Sequence, residues 1–323
     1  MNKNERQKIF GCMLRGEKPG RFPMDAVGYI EYKKDVYHLG EPAKDIKAGE
    51  VLTSKDGTKK YTKDGGAWDI SSKQKYKDYI DVINMDLSRF VIEDVGPEML
   101  SIMQSLFDEK AKEYVPIPWH YGTLMSRSEI EFGWEPLLMA SALEPEAFSK
   151  VLDRIGESSL RVVDGWSRLD GVELIIVHDD IAATKGLIWS PDFLRKYVFK
   201  WYKRFFDKIH ENGKKVLYIT DGNYADVIDD ILKLGPDGLY CESASIDPEF
   251  VMEKGGPELF YLLKTNAKNM DIGGKDELTQ EVLKIRELHD KYPKIFSYLG
   301  GGSVKPENVE IFNELYKKYL IYD

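Results

Sequence analysis

The sequence predicts an α/β protein, a TIM (β/α)8 barrel formed as a single domain over residues 1–323. Three observations carry that prediction. From Gly171 onward, short apolar runs alternate with longer amphipathic ones, and each switch falls at Gly, Pro or a capping residue. The apolar runs are continuous rather than alternating, the pattern of parallel strands covered on both faces. The first half of the chain supplies three more candidate strands, which brings the total to the eight that a closed barrel needs.

The elements follow in order. The opening MNKNERQKIFGCMLRGEK is amphipathic and charged and reads as a helix, and Arg21 to Asp25 (RFPMD) reads as the first strand. Residues 33–75 are polar and rich in Lys, Asp and Gly; within them EVLTSKDGTKKYTK alternates around Asp56-Gly57, a two-residue hairpin signal. This stretch is expected to be a hairpin insertion, a lid or a partner surface. DVINMD, ending at Asp86, and EYVPIPWH, ending at His120, are the second and third strands, and Leu124 to Asp170 is helical, with Glu144-Pro145 opening a long amphipathic run. The remaining strands are VELIIV (172–177), KKVLYI (214–219), GLYC (238–241), ELFYLLK (258–264) and KIFSYL (294–299). The helices between them have recognisable starts and stops. Ser190-Pro191 opens one that closes at Asn212-Gly213, and Asn223 to Leu234 ends at Gly235-Pro236. Asp247-Pro248 opens a short helix closed by Gly255-Gly256, Asp276 opens one running to about Lys291, and Pro306 opens the last.

Composition bounds the partners. With 42% hydrophobic residues the chain has ample material for a large core, and its net charge of −9 argues against a general nucleic-acid binder, which needs a basic face. Cys12 and Cys241 are too few for a disulfide framework. The longest purely aliphatic run is Leu174 to Val177 and the N-terminus has no apolar signal core, so neither a membrane span nor export is expected and the cytoplasm is the default compartment.

In a parallel barrel the chemistry sits where strands end, and here those ends are mostly acidic. They carry Asp25, Asp86, His120, the run His178-Asp179-Asp180, Asp221, Glu242, Asn266 with Lys268, and the Gly300-Gly301-Gly302-Ser303 loop. Like charges converging on one mouth raise one another's pKa, so a cation is expected among them. Each acid also has a plainer reading, because Asp after a strand commonly caps the next helix or makes an Asx turn; Asp221 and Asp247 are obvious cap candidates. His120 and Cys241 also read as core residues, the glycine triplet as a tight turn, and Trp119, Trp134 and Trp189 as packing or as the lining of an apolar pocket. Imidazole with carboxylates suits zinc or another divalent ion that acts as a Lewis acid, but the sequence has no HExxH, CxxC pair or EF-hand loop.

Several of these segments resemble the uroporphyrinogen decarboxylase superfamily, which includes the haem-pathway decarboxylase and methyltransferases that work with corrinoid proteins. RQKIFGCMLRGEKPGRFPM is similar to the family's first helix and Arg-x-Pro lead into the first strand. The long stretch from His178 to Asn223 resembles its Asp-Asp loop, Ser-Pro helix start and following strand, and LGPDGLYCES with GGGSVKPENV resembles its later strand and Pro-Glu-Asn helix start. The resemblance implies the same barrel.

Departures from the family pattern narrow the reaction. The decarboxylase's RQAGRY-like segment corresponds to Met24 to Tyr29 (MDAVGY), which lacks both arginines that would clamp a porphyrinogen's carboxylates. The methyltransferases' zinc-binding His-x-Cys-Gly strand end corresponds to Ile219-Thr220-Asp221-Gly222, and the later cysteine is absent from Gly300 to Ser303. The resemblance therefore implies a methyltransferase-type enzyme acting on a small methylated donor, a methyl ether or methylamine, with the corrinoid carried by a separate partner protein and zinc as a candidate cofactor. It implies Asp221, Glu242 and Asp180 as catalytic groups and Asp221, Glu242 and His178 as candidate metal ligands. His120, Asp179, Asn223, Asp86 and Asn266 are candidates for substrate binding. The alternatives are a ligand-binding barrel without catalysis and a decarboxylase of a non-porphyrin acid.

Overall fold

The computed structural model describes residues 3–26, 35–39, 51–53, 60–62, 67–68, 76–90, 95–299 and 306–322. Its strands in chain order begin with β1 (Met24–Ala26) and β2 (Val36–Leu39), followed by three short ones, β3 (Val51–Thr53), β4 (Lys60–Thr62) and β5 (Ala67–Trp68). Then come β6 (Val115–Tyr121), β7 (Leu174–His178), the pair β8 (Ala182–Ala183) and β9 (Gly186–Leu187), β10 (Lys215–Ile219), β11 (Gly238–Glu242), β12 (Phe260–Lys264) and β13 (Ile295–Leu299). Eight of them form one curled parallel sheet in the order β1-β13-β12-β11-β10-β7-β6-β2, with helices between its successive strands from β2 onward, a TIM-barrel-like α/β fold. The strands β3, β4 and β5 form a separate antiparallel sheet.

Both ends of the row meet at a buried ion pair. Arg21 grips Asp35 with two guanidinium nitrogens at 2.6 Å each, and Asp35 is fully buried. The same carboxylate accepts from the Met24 N–H at 3.0 Å, while the Asp35 backbone donates to Met24 O at 2.9 Å and accepts from Val115 N at 2.9 Å. One residue thus ties β1, β2 and β6 together. Tyr316, from the helix Pro306–Tyr319, donates to Phe22 O at 2.5 Å and receives Arg21 Nη1 at 3.4 Å.

Period-2 alternation along the strands separates two cores. Val36, Ile117, Leu174, Ile176, Leu217, Ile219, Tyr240, Phe260, Leu262 and Phe296 fill the interior, and Phe10 and Met13 of the helix Lys3–Leu14 pack with them. Their neighbours of opposite parity, such as Ile175, Val177, Tyr218, Leu239 and Tyr261, join the helical layer.

One strand assignment is corrected. DVINMD is not a strand: Asp78 accepts from Ile80 N at 3.1 Å and caps a helix over Tyr79–Ile83, in which Val82 is buried and Ile80 is half exposed. A capped amphipathic turn overrides the β-branched composition. The second barrel strand is instead Val36–Leu39, which lies inside the range read as a polar insertion; its hydrophobic signal is only Val36 and Leu39 among charged neighbours. The Asp56-Gly57 turn and the Gly300 to Ser303 loop lie outside the described residues, although β3 and β4 on either side of the former pair antiparallel, Val51 with Thr62 and Thr53 with Lys60.

Candidate functional site

Parallel register aligns the strand ends. His178 closes β7 beside Tyr121 of β6 and Ile219 of β10, and Glu242 closes β11 beside Lys264 of β12. The loops that follow bring His178, Asp180 and Asp221 so close that one ligand atom from each lies within 4.8 Å of the others.

The three acids nearest this point differ in what they accept. Asp179 is fully buried and takes the N–H groups of Leu124, Met125 and Ser126 at 3.2, 2.9 and 2.8 Å, with the Tyr202 hydroxyl at 2.6 Å. Those N–H groups open the helix Met125–Phe132, so Asp179 fastens that helix beneath the mouth. Its carboxylate oxygens already accept from these four donors.

Asp180 faces the mouth. Its Oδ1 lies 3.0 Å from His178 Nε2 and accepts the Asp221 N–H at 2.9 Å, and its own N–H donates to Ser126 Oγ at 2.7 Å. Burial alone would raise this carboxyl, but the His178 ring, the Asp221 N–H and Ser126 outweigh it and hold the group below the usual aspartate value. Asp221 is the reverse case. No described residue donates to its carboxylate, and burial, then the charge of Asp180, push its pKa up against the opposing pull of Lys264.

Glu242 completes the row without joining the cluster. Lys264 Nζ reaches its Oε1 at 2.7 Å, and its Oε2 accepts from Gly222 N at 3.1 Å and Ser245 Oγ at 2.9 Å. Burial would raise this acid, but Lys264 outweighs it and keeps the carboxyl ionised, below its usual value. Lys264 is the cation that the converging acids required. The sequence offered a sign of it: ELFYLLK ends on a lysine and GLYCE on an acid, and adjacent parallel strands in register set such ends side by side.

The turn Asp221-Gly222-Asn223 demands its glycine. Gly222 has φ +85°, and a Cβ there would stand 2.7 Å from the backbone of Ala182 and Ala183. Asn223 donates its N–H to Ala183 O at 2.9 Å and accepts from Ala225 N at 3.1 Å, so its side chain is spent on the turn.

Aromatic groups line the β6 side. Trp119 Nε1 donates to His178 Nδ1 at 3.2 Å, with the two ring planes parallel to within 5°. Tyr121 stands edge-on to the His178 ring at 4.6 Å; burial and then Asp180 and Asp221 push its hydroxyl up to about 12.

The other expected site residues lie elsewhere. His120 has the parity opposite to Trp119; its Nε2 is buried without a partner among the described residues, and burial, with Arg127 nearby, lowers its pKa to about 3. Asp86 is an exposed cap that accepts from Ser88 N at 3.0 Å, and Asn266 caps the helix Ala267–Ile272 through Lys268 N at 3.0 Å. Cys241 is buried in the helical layer, which pushes its thiol well up, and Cys12 belongs to the N-terminal helix, so neither supplies a thiolate at the mouth. A cleft of about 590 Å³ lies to one side, with Trp189, Phe193, Tyr197 and Glu146 in its walls, but it contains none of the strand-end acids.

The cluster His178, Asp180 and Asp221 has the donor types of a divalent-metal site. The surroundings of the imidazole do not suit one. A metal-bound histidine normally donates its second ring N–H to an acceptor. Here the second nitrogen, Nδ1, faces the indole N–H of Trp119, itself a donor. Glu242, the remaining expected ligand, is held by Lys264, Ser245 and Gly222.

Comparison with known proteins agrees with the fold. The sequence model of the uroporphyrinogen decarboxylase (URO-D) family matches residues 118–319. No curated protein sequence matches the chain significantly. Among solved structures, a methyltransferase from Methanosarcina mazei superposes with a TM-score of 0.65 at 14% identity, over 97% of this chain and 98% of that one. A putative vitamin-B12 independent methionine synthase from Listeria monocytogenes gives a TM-score of 0.39 at 12% identity, over 67% and 66% of the two chains, a likeness too weak to argue from. No described helix is long and apolar enough to cross a membrane.

Proposed function

Because the chain belongs to the uroporphyrinogen decarboxylase family, we propose that it is a methyltransferase that takes a methyl group from a small ether or amine and delivers it to a corrinoid on a partner protein. The observation that carries this reading is the divergence of two neighbouring acids: Asp180 is held ionised by its donors, while Asp221 is undonated and raised. Pairs pushed apart in this way mark acid and base roles.

When a methyl-oxygen or methyl-nitrogen bond breaks, its electron pair stays on the donor atom, which needs a proton. Asp221 supplies it. A reduced corrinoid on the partner would supply the electron pair that takes up the methyl group. Asp180, fixed by His178 and Ser126, accepts the Asp221 N–H and sets its negative charge beside the Asp221 carboxyl, and the Glu242–Lys264 pair holds Gly222 and with it the Asp221 turn. Among the described residues, the acids Asp180, Asp221 and Glu242 face one lysine, Lys264, an arrangement poorly suited to a polycarboxylate substrate.

The test is methylcobalamin formation from cob(I)alamin with a panel of methyl ethers and methylamines, followed by absorbance. Turnover with any donor, lost in Asp221→Asn, supports the reading. No methyl transfer from any donor, with free cob(I)alamin or a corrinoid protein, sinks it, and carbon dioxide release from a small acid would assign the chain to lyase chemistry.

A further inference from the structure

Trp119 lies on the strand before the acids and plays no part in the proton path above, yet it makes a directed contact with it. Its Nε1 is 3.2 Å from His178 Nδ1, with the indole N–H directed at that nitrogen and the two ring planes parallel to within 5°. An indole N–H can only donate. Nδ1 must therefore accept, which leaves Nε2 as the ring nitrogen that carries a proton, and Nε2 faces Asp180 Oδ1 at 3.0 Å. Turning the ring over about its Cβ–Cγ bond would present carbon to Trp119 and forfeit the bond, so the geometry leaves one orientation as well as one tautomer.

We propose that Trp119 is a positioning residue that locks His178 as the Nε2–H tautomer, so that the imidazole acts as a fixed hydrogen-bond donor to Asp180 and is withheld from divalent cations. Nε2 is the only ring nitrogen that faces the carboxylates. A cation bound there would need the Nε2 lone pair, which moves the ring proton to Nδ1 and sets it against the Trp119 N–H. The lock itself is held in place: Trp119 packs edge-on against His38 with ring centres 4.4 Å apart, and Tyr121 stands edge-on to the imidazole at 4.6 Å. The groups around the imidazole are Asp180 and Asp221 on the polar side and Trp119 and Tyr121 on the aromatic side.

The inference rests on the reading of this mouth as the reaction site, but its test needs no substrate and so fails or succeeds separately from methyl transfer. Histidine-labelled protein is observed by long-range nitrogen-proton correlation, and His178 is assigned by its loss in His178→Gln. The expected wild-type spectrum has Nδ1 at the bare-nitrogen position and Nε2 at the protonated one. In Trp119→Phe, under the same conditions, Nδ1 moves toward the protonated position as the tautomer is released. A wild-type Nδ1 that carries the proton overturns the proposal, and so does a Trp119→Phe spectrum identical to wild type, which would leave the tautomer to Asp180 alone. Should Trp119→Phe fail to fold, zinc titration of the wild-type protein decides: unchanged His178 nitrogens support the lock, and zinc-dependent shifts of Nε2 overturn it.

Discussion

The barrel buries acids in two places and treats them in opposite ways. At the seam, Asp35 is sealed from water with a bidentate arginine and a backbone N–H on its carboxylate. At the mouth, Asp221 is half-buried with no described donor on its carboxylate and another acid alongside. A folded chain gains from the first arrangement and loses from the second. The contrast teaches where this protein stores reactivity: an acid left unsatisfied is a stability cost that chemistry can draw on.

The contrast can be broken at its reactive end. Asp221→Asn is expected to reduce methyl transfer by roughly 10²–10⁴-fold, the usual worth of a positioned acid, while leaving the urea midpoint no lower than wild type. A variant that lost both activity and stability would make Asp221 a structural residue. Broken at the seam, the effect should fall on folding alone. Arg21→Ala leaves Asp35 buried without its cation and should cost about 3–5 kcal/mol in urea denaturation, with activity per folded molecule unchanged.

Glu242→Gln sharpens the comparison from the middle. It weakens the bond to Lys264 and the hold on Gly222, and about 1–3 kcal/mol should be lost. Glu242 has its folded pKa below the usual 4.5, so its contribution is present above that pH and lost as pH falls through the folded value. Asp221 has the opposite sign. Its folded pKa is raised above the usual 3.8, so the stability it confers is complete below 3.8 and lost as pH rises through the folded value. Urea midpoints measured across that window should therefore fall in the wild type relative to Asp221→Asn as pH rises. A constant difference would mean that Asp221 is solvated like any surface acid.

What the sequence made legible follows the same physics. The strands from β7 to β13 that build the main sheet were readable because continuous apolar runs bounded by Gly, Pro and caps have few other interpretations, and Ser190 and Asp247 do cap the helices expected of them. The strand β2 was missed because four residues supply too little pattern, and its place is set by the distant Arg21. At the site, the spacing brought out His178, Asp180 and Asp221 as strand-end groups, but it could not separate Asp179 from Asp180. Adjacent residues after a strand point to different sides, and only the packing of the helix Met125–Phe132 decides which of the two is consumed. Trp119 was visible as an aromatic near a strand end, whereas its bond to His178 depends on the register between β6 and β7.

The glycine at position 222 has a consequence for how this barrel can diversify. With φ at +85° and the Ala182–Ala183 backbone 2.7 Å from where a side chain would begin, the turn admits almost no substitution. It also rivets the loop after β10 to the hairpin of β8 and β9, which follows the His178 to Asp180 run. Descendants of this chain could exchange the residues around the mouth to suit new substrates, but the distance between Asp180 and Asp221 would pass to them unaltered.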